Sequence, residues 1–247
     1  MIALWYKNFC YYKRNLSEII AQIINSFIEI MPIYFMLYSN TSDNKTNYYV
    51  IFSYLIACLI LNIAVGVCFE YYKEIIKKSN VDFKLVGVGK LQFAFAQGIY
   101  YFILNSWVII LDLIILFYLK PFDLKNYFAV IDLFYFLSFN CLFLVAVCGV
   151  SSFLAYFVEK TKIFSVGSLF CNFMLIFSGS YTPMQFFPPQ SYILFYINPF
   201  YYYVNGLQSI VFGTDLPFSH NIFLFLDLIN VISIVLIINV ILRKVEY

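Results

Sequence analysis

Apolar residues in this chain run in blocks about as long as a membrane is thick, separated by short polar turns. Residues 18–39 form the first block, and Asn40-Thr41-Ser42-Asp43-Asn44-Lys45 reads as the turn that closes it. Residues 48–69 are uncharged until Glu70, and at ~1.5 Å per residue such a helix reaches across a hydrocarbon core of ~30 Å. A third block lies within residues 91–119 and stops at Lys120-Pro121-Phe122-Asp123, a proline-marked turn. A fourth lies within 127–158 and stops at Glu159-Lys160-Thr161-Lys162. The fifth covers 163–181 and the sixth 221–242, ending at Arg243-Lys244. Ahead of all of these, residues 1–16 predict an interfacial helix, with Trp5, Phe9, Tyr11 and Tyr12 at headgroup level and Lys7, Lys13 and Arg14 toward water.

Between the fifth and sixth blocks the pattern changes. From residue 163 to residue 214 there is no Asp, Glu, Lys, Arg or His, and Pro183, Pro188, Pro189 and Pro199 interrupt the run. As one helix it would be roughly 78 Å long, far beyond the membrane. Proline cannot continue a helix, so the run predicts a span ending near Tyr181, a turn, and a further apolar helix that need not cross. Asn198, Asn205 and Gln208 are awkward against lipid, which places residues 182–214 in an outer re-entrant or interfacial hairpin. The expected fold is all-α and integral to the membrane: six transmembrane helices, an N-terminal interfacial helix and this hairpin between helices five and six, in a single domain over 1–247.

Composition agrees with the block pattern. The chain is 63% hydrophobic and 11% charged, with mean hydropathy +0.85, against ~25% charged residues in soluble domains. Basic residues on short loops set orientation. With both termini cytoplasmic, only Lys45, Lys120 and Lys125 of the 15 basic residues fall outside. Making 192–213 a full span would carry Arg243 and Lys244 outside as well and weaken that bias. Residues 70–90 hold the largest charge cluster, and Glu74 with Lys78 at i, i+4 supports a short amphipathic helix at its start. No cleavable signal pattern is expected in the N-terminal segment.

Candidate chemistry is sparse. Gly87-Val88-Gly89-Lys90-Leu91 lacks the first glycine and the hydroxyl of a P-loop, and no metal-ligand spacing or Ser/His/Asp set occurs. Metal ligands and cofactors are therefore not expected in this chain. Cys10, Cys58, Cys68, Cys141, Cys148 and Cys171 read as small apolar packing residues, and His220 as an interfacial histidine. Tyr and Phe, including Tyr201-Tyr202-Tyr203, read mainly as girdles at the two interfaces. Gly179, between Ser178 and Ser180, suggests close approach or a kink. Four acids sit inside spans: Glu29, Asp112, Asp132 and Asp227. Asp132 and Asp227 lie near the outer boundary and are expected to reach water. Glu29 and Asp112 lie deeper, where a carboxylate needs a partner, and they support an alternative reading as a proton- or ion-coupled secondary transporter.

One family accounts for the ordered motifs of the uncharged run. Phe177-Ser178-Gly179-Ser180-Tyr181-Thr182-Pro183-Met184 is followed by Phe186-Phe187-Pro188-Pro189, Tyr196-Ile197-Asn198-Pro199-Phe200-Tyr201, Val204-Asn205-Gly206-Leu207 and Ile210-Val211-Phe212-Gly213. This series resembles the C-terminal signature of ABC-2 type transporter permeases, with features of the drug-resistance and nodulation-export relatives. Glu70 and Gly89-Lys90 resemble the family's cytoplasmic loop. Ser79-Asn80-Val81-Asp82 lacks the family's usual Thr-Pro pair, and Gln208 stands where many relatives have arginine. The resemblance implies a permease subunit of an ATP-driven exporter in the plasma (inner) membrane, paired with a second copy or a paralogous permease. ATP and Mg would be bound by a separate ATP-binding subunit, so the chain itself would not be an enzyme. It also implies that the loop 70–90, through Glu70, Glu74, Lys77 and Lys78, couples to that subunit, and that Gly179, Pro183, Pro188, Asn198 and Pro199 shape the outer hairpin or gate.

Overall fold

The computed structural model describes residues 44–71, 90–119, 130–157, 163–181 and 184–245, together with the helical positions Ile20, Ile24, Ile28 and Met31. Every regular element among the described residues is helical. Helix α1 is Asn44–Tyr71, α2 Lys90–Leu119, α3 Val130–Phe157 and α4 Ile163–Ile176. Two short 3-10 turns, Met184–Phe186 and Pro189–Ser191, lead into α5, Tyr192–Ile197, then α6, Pro199–Phe212, and α7, His220–Val245.

Long uncharged sequences become helices here because a helix satisfies every backbone group within its own segment, which lipid cannot do. Three helices are long and apolar enough to cross a membrane, through Ile51–Cys68, Val130–Leu154 and His220–Ile238. They coincide with the second, fourth and sixth predicted spans. Helix α2 fills the region of the third, and the first lies outside the described residues apart from four positions. Helix α1 begins at Asn44, so Asn44 and Lys45 belong to its first turn instead of the preceding polar turn. The fifth predicted span, 163–181, is helical only to Ile176. Its early stop has a local cause. The Ser178 and Ser180 hydroxyls both donate to the Leu175 carbonyl, at 2.7 and 3.2 Å, and Gly179 turns left-handed at φ 80°. Side chains satisfy the carbonyl that another helical turn would have used, and glycine supplies the reversal.

Helix α3 is the centre of the bundle and packs against α1, α2, α4, α6 and α7. Ile60, Ile63, Phe93, Phe139 and Phe143 lie fully buried along these seams. The opposite faces are apolar and exposed, as in Phe225, Ile232 and Leu236 on α7, which suits a lipid-facing surface. A second large block of core comes from α6, part of the segment that the sequence pattern assigns to a re-entrant or interfacial hairpin. From Pro199 to Phe212 all of its residues are buried except Asn205 and Val211, which are half-buried.

Candidate functional site: a buried helical hairpin

Helices α5 and α6 meet at Asn198, whose extended backbone, φ −85° and ψ 115°, breaks the helical path. Pro199 follows at the first helical position, where its missing N–H costs nothing. The Asn198 side chain faces two ways. Its Oδ1 accepts from the Phe200 N–H at 3.0 Å, capping α6. Its Nδ2 donates to the Met174 carbonyl at 2.6 Å, in the last turn of α4. One residue therefore starts α6 and ties it to the end of α4. At 14 residues α6 is about 21 Å long, short of a ~30 Å core.

Polar side chains fasten α6 to each neighbour. Asn205 Nδ2 donates to the Ser178 carbonyl at 3.2 Å and to the Tyr201 carbonyl at 2.8 Å. Gly179 lies against that amide: a Cβ there would come 3.2 Å from Asn205 Nδ2. Toward α1, Gln208 Nε2 donates to Ser53 Oγ at 2.6 Å, with both residues buried. Toward α3, the Tyr203 hydroxyl donates to Asn140 Oδ1 at 3.1 Å, and its ring stacks on Phe143 with centroids 4.1 Å apart. Toward α7, Ser209 Oγ and His220 Nε2 are 3.1 Å apart. Toward α5, the Tyr202 hydroxyl donates to the Tyr196 carbonyl at 2.9 Å. Such bonds satisfy groups that burial would otherwise leave costly. Where α6 crosses α3 the approach is close, since a Cβ on Gly206 would stand 2.7 Å from the Phe139 ring.

Residues 1–212 match the family of ABC-2 type transporters. The chain belongs to that family. Comparison with curated proteins and with solved structures returns no match. This ABC-2 permease is thus a multi-pass membrane protein and the transport component of an ABC transporter. The match reaches from the N-terminus to the end of α6, taking in the loop 70–90 and the hairpin.

The permease places its sequence-predicted residues unevenly. Glu70 is the penultimate residue of α1, half-buried and engaged with a neighbour. Glu74, Lys77 and Lys78 lie outside the described residues, as do Pro183 and Glu29. Asp112 is on α2, with its side chain outside what is described. Pro188 is exposed at the entry to the second 3-10 turn. Asn198 and Pro199 open α6, and Gly179 lies against Asn205 two turns further along it. Among the described residues no group of three His, Cys, Asp or Glu side chains could hold a metal.

Several residues have surroundings that their sequence reading did not supply. Tyr201, Tyr202 and Tyr203 are core residues, at most 3% exposed, and not part of an interfacial girdle. His220, read as interfacial, stacks on Tyr135, with centroids 5.0 Å apart, and meets Ser209. Asn198 and Gln208 are polar groups buried inside the bundle, where hydrogen bonds make them tolerable. Asp227 does not reach water but is 1% exposed on the inner face of α7. The signal for this last placement was present in the spacing. His220, Phe223, Asp227, Asn230, Val231 and Ile234 recur at three- and four-residue steps and share one stripe.

Proposed function

We propose that this permease is one half of the membrane pore of an ATP-driven exporter. Two permease copies, or this chain and a paralogous partner, enclose the path. ATP and Mg are bound by separate ATP-binding subunits docked on the cytoplasmic side. The cargo is an amphipathic or lipid-linked molecule moved outward. The single observation that most supports the reading is the family match, which spans both the charged loop 70–90 and the outer hairpin.

In this reading Glu70 at the foot of α1, with Glu74, Lys77 and Lys78, contacts the ATP-binding subunit. Closure of the nucleotide sites moves α1 as a rigid body, a common way for local charge contacts to become large displacements. Buried contacts such as Gln208–Ser53 carry that movement to the hairpin. Residues 182–214 lie on the outer side and act as its re-entrant gate, with both termini cytoplasmic in the plasma (inner) membrane. Family membership favours this mechanism over a gradient-driven carrier built on Glu29 and Asp112.

The test is a charge exchange, Glu74→Arg combined with Lys78→Glu. Expression in the membrane should be unchanged, while ATPase stimulation of the co-expressed ATP-binding subunit should fall at least tenfold. Full stimulation by the exchanged variant would remove these charges from the coupling contact.

A further inference from the structure

We infer that Asp227, together with Tyr202 and Asn230, forms a buried site for one monovalent cation between α7 and the α5–α6 hairpin. The carboxyl group lies on α7 between Phe223, four residues before it, and Asn230, three residues after it, so all three share a helix face. Both flanking side chains touch the hairpin. The Phe223 ring packs on Tyr202 with centroids 4.8 Å apart, and Asn230 Nδ2 donates to the Tyr196 carbonyl at 2.7 Å.

Hydrogen-bond accounting gives the site its sign. The Tyr202 hydroxyl and the Asn230 amide both direct a proton to the Tyr196 carbonyl. The Tyr202 oxygen and Asn230 Oδ1 retain lone pairs for a cation, and the second N–H of Asn230 is not bonded to Asp227. Among the described residues neither oxygen of Asp227 meets a hydrogen-bond donor. The described helices packed against α7 are α3 and α6. Their titratable groups are Asp132, Tyr135, Cys141, Cys148 and Tyr156 on α3 and Tyr201, Tyr202 and Tyr203 on α6, with Tyr196 on α5; none is Lys or Arg. On α7 itself His220 lies two turns away and is engaged by Ser209, while Arg243 and Lys244 are at the far end.

A carboxylate, a phenol oxygen and an amide oxygen are hard donors suited to a small cation. Broken helices in membrane transporters hold sodium ions or protons beside unwound backbone carbonyls. The shared chemistry is one positive charge that neutralises Asp227, supplied by a proton or by an alkali ion. A site at the α7–hairpin seam would make seating of the hairpin depend on its occupancy.

The experiment uses the whole permease in lipid nanodiscs. Thermal midpoints are compared in NaCl, KCl and choline chloride at equal ionic strength, and infrared spectra are recorded at neutral pH with isotope-labelled aspartate. An alkali-ion site predicts higher midpoints in NaCl or KCl than in choline chloride, an effect lost in Asp227→Asn. A proton site predicts no such salt difference and a protonated-carboxyl band that Asp227→Asn removes. Tyr202→Phe keeps the ring and guards against a misfolded Asn variant: it should weaken the alkali effect about tenfold or shift the carboxyl band. Absence of both signals in the unaltered permease would mean a hydrated, ionised carboxylate and would overturn the proposal. So would signals that neither substitution alters.

Discussion

Asn198 shows how much one side chain can decide. Losing a helix cap costs about 0.5–2 kcal/mol, and leaving a buried carbonyl without a donor costs about 1–3 kcal/mol. Asn198→Ala does both, so it should lower unfolding stability in detergent by roughly 2–4 kcal/mol. Asn198→Asp keeps the capping oxygen but loses the Nδ2 donor to Met174. Its penalty then reports the link to α4 separately from the cap. If the alanine variant were as stable as the parent, the double role read from its 3.0 and 2.6 Å bonds would be wrong. Gly206 makes a second residue-scale case. A methyl group there would meet the Phe139 ring at 2.7 Å, and overpacking of this kind costs about 1–3 kcal/mol. Gly206→Ala should destabilise by that amount, and adding Phe139→Leu should recover part of it. Additive losses in the double variant would show that the two positions do not touch.

At the scale of elements, the break between α5 and α6 was legible in Asn198-Pro199, because proline at a first helical position and asparagine before it have few other readings. Helix existence was legible from the apolar blocks. What the pattern did not reveal was that α6 is inside. Hydropathy assigns each residue a solvent, and both lipid and protein core are apolar; Tyr201, Tyr202 and Tyr203 fit a headgroup girdle and a packed seam equally well. Asn205 and Gln208 did not distinguish the two either, since a polar side chain becomes acceptable in the core only when a specific partner, such as Ser53, stands opposite. Hydrogen exchange tests the difference between surface and core. Amides within Tyr201–Ile210 should exchange among the slowest in the permease, whereas the exposed 3-10 turns at Met184–Phe186 and Pro189–Ser191 should exchange quickly. Rapid exchange throughout α6 would mean that it lies loosely at the interface.

For the whole molecule, the described helices form a bundle centred on α3, with an apolar exterior and a hairpin bonded to every neighbour. Membership of the ABC-2 family makes it the transport component of an ABC transporter. The account stands or falls on that partnership. The decisive measurement is purification of the permease from native membranes in mild detergent, with identification of what co-purifies and assay for ATP hydrolysis. The account predicts a stoichiometric subunit carrying a P-loop, and ATPase activity sensitive to vanadate. Recovery of the permease alone, without ATPase activity even after crosslinking in the membrane, would contradict it.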